Sequence, residues 1–268
     1  MTDETKVPKE HPRAESLRVR ERLLKHYNLG VVAHAGLIAH GRGEAFDYLL
    51  GEETTKPTLE AIGAAAAALL TAKHPVISVN GNAAALVASD IAKLSEVTGA
   101  RIEVNLFYRS SKREKAIEAM LREAGATEVL GIGEEASARI PELGSERRRV
   151  DPRGILIADA VLVPLEDGDR TEALVRIGKN VIAIDLNPLS RTAQLATVTI
   201  VDNIVRAMPT LVKICEELRT ENNEKLKKIA SDFDNKRNVG EAIDLINQRL
   251  SKLAEKGTYI SLLEMSKI

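Results

Sequence analysis

The chain has 268 residues, enough to bury a sizeable core, and its 38 Lys and Arg against 39 Asp and Glu leave a formal net charge of −1. That balance excludes the global basic field of a nucleic-acid binder, and aromatics at 3% leave little for base stacking. The single cysteine, Cys215 in an apolar run, excludes an intrachain disulfide framework, reads as a buried structural thiol and fits a reducing, cytoplasmic setting.

Met1 to Glu10 is charged and has no apolar h-region, so no signal peptide is expected. Pro12 is placed to start a helix that Gly30 stops, with an apolar stripe of Leu17, Leu24 and Tyr27. Arg20 falls inside that stripe. A guanidinium there needs an anionic partner, either a ligand or an internal carboxylate. Val31 to Ile38 and Glu44 to Leu50 are expected as two short helices around the turn His40-Gly41-Arg42-Gly43. In that block the glycines would allow close approach to the main chain, and Arg42 offers a fork matched to phosphate or carboxylate. A helix-ending turn with solvated charges is the equal alternative from the block alone.

Pro57 opens a helix that runs through an alanine-rich stretch to Lys73, whose small residues suit close packing. The longest apolar run, Ala61 to Leu70, is too short to span a bilayer. From Pro75 the pattern alternates. Strands are expected at 76–79, 101–107, 128–131, 160–163, 181–184 and 198–201, with helices at 83–97, 111–124 and 204–219, the last interrupted near Pro209. Residues Glu221 to Lys256 read as helical with a break at Asn238 and Gly240, and Arg147-Arg148-Arg149 as a solvated loop. The expected fold class is α/β, Rossmann-like, with a mainly parallel sheet covered by helices on both faces. A helical region (1–73) precedes the core (74–219) and a helical tail (220–268) follows it, all within a single domain, 1–268.

Ligands of open parallel sheets bind beyond the carboxyl ends of the strands. After the first strand, Asn80-Gly81-Asn82 leads into a helix N-terminus, a setting for phosphate or for an ordinary Asn cap. After the second, Arg109, Lys112 and Arg113 crowd a helix start, which also favours an anion. After 181–184 comes Asp185-Leu186-Asn187-Pro188-Leu189-Ser190-Arg191-Thr192. Asp185 suits ribose hydroxyls or a metal–phosphate unit, Arg191 suits phosphates and Thr192 supplies a hydroxyl. Asp202-Asn203 before Ile204 is another polar edge. The histidines show no metal-ligand spacing, so no protein-held metal is expected, and no nucleophile elbow is present. The pattern suits a ligase or kinase that works by positioning and charge neutralisation.

The blocks Gly36–Glu52, Asn80–Leu86, Glu103–Arg113 and Asp185–Asn203 resemble, in order and over nearly the whole chain, those of the archaeal phosphopantothenate synthetases, or 4-phosphopantoate–β-alanine ligases. The resemblance implies a step of coenzyme A synthesis. ATP adenylates the carboxylate of 4-phosphopantoate with loss of pyrophosphate, and the amine of β-alanine then displaces AMP. It implies an ATP site made of Arg20, Arg42, Asp185-Leu186-Asn187, Arg191-Thr192 and Asn203-Ile204. It further implies Mg²⁺ with the ATP and a cytoplasmic homodimer, with Tyr259-Ile260-Ser261-Leu262-Leu263 a segment that could pack across subunits. The substrate phosphate needs a second anion site, for which Gly81-Asn82 with Arg109 or Arg113 is our own assignment. His40, Glu44 and Asp185 all stay open as the base for the amine. The alternatives are a small-molecule kinase and a non-catalytic ATP-binding protein; no nucleic acid or membrane partner is expected.

Overall fold

The computed structural model describes residues 8, 10, 11, 13–141 and 143–256. Pro12, most of Met1 to Glu10 and the segment Tyr259 to Leu263 lie outside the described residues. Three helices come first: α1 (Ala14–Asn28), α2 (His34–Leu50) and α3 (Lys56–Thr71). Thr55 caps α3 through its side chain and Pro57 occupies the first turn, where its missing N–H costs nothing.

The alternating region gives β1 (Pro75–Val79), α4 (Gly81–Thr98), β2 (Arg101–Val104), α5 (Ser111–Glu123) and a small antiparallel pair, β3 (Ala138–Arg139) with β4 (Arg149–Val150). It continues with β5 (Ala160–Pro164), α6 (Gly168–Arg176), β6 (Asn180–Ile184), α7 (Arg191–Leu195), β7 (Val198–Ile200) and α8 (Ile204–Leu218), then α9 (Asn223–Asp232) and α10 (Asn235–Lys256). The main sheet is parallel throughout, in the order β2-β1-β5-β6-β7. Its strands are short runs rich in Val and Ile, buried on both sides as a covered parallel sheet demands.

The pleat sorts the core into two layers. Ile77, Val79, Ile102, Val104, Leu162, Ile182 and Ile184 face α1, α3, α4, α5 and α8. Val76, Val161, Val163, Val181 and Ala183 face α6 and the loop around Val150 and Ile155. Cys215 is fully buried in the first layer, where burial pushes its thiol up to about 12. The expected fold class therefore holds.

Several local expectations do not. Residues 34–50 form one helix, not two around a turn, because Gly41 and Gly43 keep helical geometry and only Gly51, with φ 101°, ends it. Residues 128–131 make a single bridge, Leu130 to Glu103, before Gly131 turns the chain away at φ 77°. β2 stops at Val104 because buried Asn105 turns its side chain to the carbonyls of Arg147 and Arg149. The break in the tail falls at Phe233-Asp234, while Asn238 continues α10 and donates to the Pro57 carbonyl from a buried position. Arg147 is buried, not solvated. Helix α6 has no counterpart among the expected elements; its start is fixed by Asp167, which caps the Arg170 N–H.

Glu103 of β2 is 0% exposed and accepts the N–H groups of Asp151 (3.0 Å) and Ile155 (2.6 Å), which pins the loop after β4 to the sheet edge. Burial pushes its carboxyl up to about 7, against the help of those two N–H groups and of Arg170. A carboxyl raised on folding from 4.5 to about 7 keeps its proton in the native state while the unfolded chain loses it. Its contribution is thus complete below pH 4.5 and is lost as pH rises to 7, by roughly 3 kcal/mol. Urea unfolding of wild type and Glu103→Gln across that range should show the slope in the former and a flatter curve in the latter.

Candidate functional site

The strand order places β2 on one side of β1 and β5, β6 and β7 on the other, so the sheet has its switch point between β1 and β5. Clefts beyond the carboxyl ends there are where such sheets bind ligands. Leu165, the first residue beyond β5, is held at φ 53°, a strained angle for a branched side chain. Asn80, beyond β1, ties the two edges together by donating to the Pro164 (2.8 Å) and Leu165 (3.2 Å) carbonyls while its own oxygen caps α4.

Beyond β6, Asp185 accepts the Asn187 N–H (2.9 Å) and the Ser190 hydroxyl, and Asn187 accepts the Leu189 N–H, giving two nested Asx turns. Burial pushes the Asp185 carboxyl up, and the nearby charge of Arg42 pulls it back. Arg42 is exposed on α2 and makes no hydrogen bond or ion pair among the described residues. Helix α2 packs against this edge, where a methyl group on Gly43 would lie in ordinary contact, 3.6 Å from Leu186 Cδ1. Beyond β7, Asn203 caps α8 and donates to Asp47 of α2 (2.8 Å), and Ile204 is buried behind it. Arg42, Asp185, Leu186 and Asn187 therefore lie together, with Asn203 and Ile204 at the next strand end on the Asp47 side of α2.

Arg20 sits one helix further out. Its Nε and Nη2 are taken by Glu44 (2.8 Å from Nη2), whose carboxylate also accepts from Ser16 and Tyr48. Of its two possible partners, an internal carboxylate is the one present. Those hydrogen bonds outweigh burial and hold the Glu44 carboxyl below the usual range. Arg191 bridges Asp169 (2.6 Å) and Glu172 (2.5 Å) of α6 from a side chain 60% exposed. Thr192 is buried, and its hydroxyl donates to the Glu166 carbonyl (3.1 Å).

The second set is split. Gly81, Asn82 and Arg113 lie together under the segment that joins α1 to α2. A methyl on Gly81 would fall 2.2 Å from the Val31 carbonyl and 3.0 Å from Arg113 Nη2. Asn82 donates to the Gly36 carbonyl (2.8 Å), and Arg113 to the carbonyls of Tyr108 and Val31 (3.0 Å), with its Nε buried and without a partner among the described residues. Arg109 lies apart from them, its side chain 4% exposed and spent on Glu114 and the Gly131 carbonyl (3.1 Å).

Two groupings escaped the sequence reading. Glu166, just beyond β5, binds Arg147 (2.6 Å) and the fully buried Arg170, which also reaches Ser78 (3.0 Å). Burial works against ionisation of Glu166, but the two guanidiniums hold its carboxyl below the usual range. Asp47, Arg206 and Asp202 form the other grouping, joining α2 to α8. The signal for Glu166-Asp167 was its place directly after a strand, the same position that marked Asp185. A larger cavity, about 460 Å³, lies at a kink of α4 near Val87, lined by Arg22, Leu86, Asp90 and Met120. None of those residues follows a strand end, so its size does not make it the site. The described residues hold no group of three or more His, Cys, Asp or Glu arranged for a metal ion.

The sequence matches the family described as phosphopantothenate/pantothenate synthetase over residues 57–249. A 4-phosphopantoate–β-alanine ligase of Thermococcus kodakarensis is 51% identical over 254 residues, covering 94% of this chain and 97% of the relative. One of Methanosarcina mazei is 51% identical over 255 residues, covering 95% of this chain and all of the relative. One of Methanospirillum hungatei is 48% identical over 244 residues, covering 91% and 98%.

Arg170 is fully buried with Glu166 as its carboxylate among the described residues, so removing Glu166 strands its charge. Glu166→Gln should cost about 3–5 kcal/mol, read in thermal or urea unfolding, and the double variant with Arg170→Met should recover part of that loss.

Proposed function

The chain belongs to the phosphopantothenate/pantothenate synthetase family, and on that premise we propose that it joins 4-phosphopantoate to β-alanine to give 4'-phosphopantothenate. It is an ATP-dependent ligase that forms a carbon–nitrogen bond and releases AMP and pyrophosphate, acting in coenzyme A biosynthesis. Identity of about half over almost the full length of such ligases carries this reading. It is favoured over a small-molecule kinase or a non-catalytic ATP-binding protein.

The ATP site of this proposal is the convergence around Arg42. A guanidinium without a partner among the described residues, poised beside the nested turns of Asp185 and Asn187, can neutralise phosphate charge as pyrophosphate departs. Asp185 oxygens have lone pairs to spare for ribose hydroxyls after accepting Asn187 and Ser190. Arg20 keeps Nη1 for a phosphate oxygen while Glu44 fixes its other end. Arg191 is released cheaply, since exposed ion pairs are worth about 0–1 kcal/mol. Thr192, Leu186 and Ile204 are buried and contribute through main chain and packing on the base. Mg²⁺ would come with the nucleotide, since it keeps phosphate and water ligands and needs only one or two carboxylates.

For the phosphate of 4-phosphopantoate we keep Gly81 and Asn82 at the start of α4 with Arg113 of α5, whose Nε has no partner among the described residues and supports an anion. Arg109 is the weaker member of that set, because Glu114 already neutralises it. We also propose that residues 1–268 act as one ligase unit, as a homodimer in the cytoplasm. No helix among the described residues is long and apolar enough to cross a membrane.

Incubation with ATP, 4-phosphopantoate and β-alanine should give AMP; formation of ADP instead would remove the adenylate mechanism and restore the kinase. Arg42→Ala should lower kcat by about 10²–10³-fold with little change in stability. Near wild-type turnover of that variant would take Arg42 out of the mechanism.

A further inference from the structure

Helices α1, α2 and α8 enclose a second cavity of about 120 Å³, lined by Ser16 and Val19, by His40, Glu44 and Asp47, and by Asn203 and Arg206, with Glu15 and Glu52 at its exposed rim. It is too small for a nucleotide and of a size for a ligand of a few heavy atoms. Its wall includes Asn203, so it adjoins the region where the reacting carboxylate would be adenylated. The carboxylates around it draw an ammonium group, and the Arg206 guanidinium on its wall is already shared by Asp47 and Asp202. Within it, His40 Nε2 is buried and has no hydrogen-bond partner among the described residues.

We propose that this cavity receives β-alanine and that His40 is the general base for its amine; the assignment rests on the ligase reading above. The other acids at the wall are spent or solvated. Glu44 accepts from Ser16, Arg20 and Tyr48, while both oxygens of Asp47 are taken by Arg206 and Asn203. Glu15 and Glu52 are exposed. His40 has a free acceptor in the tautomer with its proton on Nδ1. Burial depresses its pKa first, Arg20 lowers it further, and Glu44 and Asp47 pull it back up, leaving it below the usual histidine value and neutral at pH 7.

An alkyl ammonium such as that of β-alanine carries its proton at neutral pH and has no lone pair for attack. One ammonium proton passes to His40 Nε2, and the freed nitrogen pair forms the C–N bond at the acyl carbon. The C–O bond to AMP then breaks with its electrons leaving on the phosphate oxygen, and the second proton goes from nitrogen to solvent.

Two half-reactions separate this assignment from the reading beneath it. Exchange of labelled pyrophosphate into ATP with 4-phosphopantoate alone reports adenylation. Amide formation with β-alanine reports the second step. His40→Gln should retain exchange, which also shows that it folds, and should form amide about 10²–10⁴-fold more slowly. Hydroxylamine, largely unprotonated at neutral pH, should still capture the acyl group as hydroxamate in the variant. Wild-type amide formation by His40→Gln overturns the assignment, and so does equal loss of exchange, hydroxamate and amide. Absence of exchange in the wild type would overturn the ligase reading itself, and this assignment with it.

Discussion

Arg206 holds the helical lead-in against the carboxyl edge of the sheet. Its Nη2 lies 2.5 Å from Asp47 of α2 and 2.6 Å from Asp202 beyond β7. Asp47 is 4% exposed and Asp202 1%, and a charge buried to that extent is costly without a partner. One guanidinium between two carboxylates leaves a negative charge, which Thr54 (2.7 Å to Asp202), the Asn203 amide and the positive end of α8 help to offset. Burial alone would weaken the Arg206 charge, but Asp47 and Asp202 outweigh it and hold its pKa above the usual value. Together with the Arg20–Glu44 pair, the Asn82–Gly36 hydrogen bond and the packing of α10 on α2, this tie fixes how α2 meets the sheet edge.

The arginines of this chain divide by what they touch. Arg109, Arg147 and Arg170 are buried and each has a carboxylate within an ion-pair distance. Buried ions of this kind are weak evidence of net stability, because desolvation consumes most of their attraction, but they specify geometry. Here they fix the strained Leu165 turn, the loop after Gly131 and the loop carrying Arg147. Arg42 differs in being exposed and unpaired among the described residues, beside a carboxyl whose own charge is suppressed by burial. An anion binding there displaces water and breaks no ion pair, whereas at Arg109 it would have to displace Glu114.

The strands were legible because a covered parallel strand is a short run of Val and Ile with turn residues on each side, and β1, β5, β6 and β7 all have that form. The residues beyond them were legible for the same reason. The helix through Gly41 and Gly43 was not: three glycines within one stretch read as a turn, since each costs about 1 kcal/mol in a helix relative to alanine. That local preference is overridden by packing, for a side chain at Gly36 would collide with Asn82. Arg147 was misread because a run of arginines gives no sign that Glu166, distant in sequence, waits for one of them. Arg20 shows the opposite limit: its need for an anion was plain, but Glu44 lies on another helix and no periodicity links the two.

The same helix sorts the two kinds of charge that the proposed reaction needs to keep apart. At about 100° per residue, His40, Glu44 and Asp47 share one face of α2, and Arg42 points about 160° away from His40. Gly43 lies between those faces, and it is there that α2 rests on Leu186. One side of the helix therefore offers a cation to departing phosphate, while the other offers carboxylates and a neutral imidazole to an ammonium. Were the amine to share the side of Arg42, that guanidinium would repel it; were phosphate to share the acidic side, Glu44 and Asp47 would repel that. Helix α2, tied to the sheet edge by the half-buried Arg206, thus presents the two kinds of group on opposite faces.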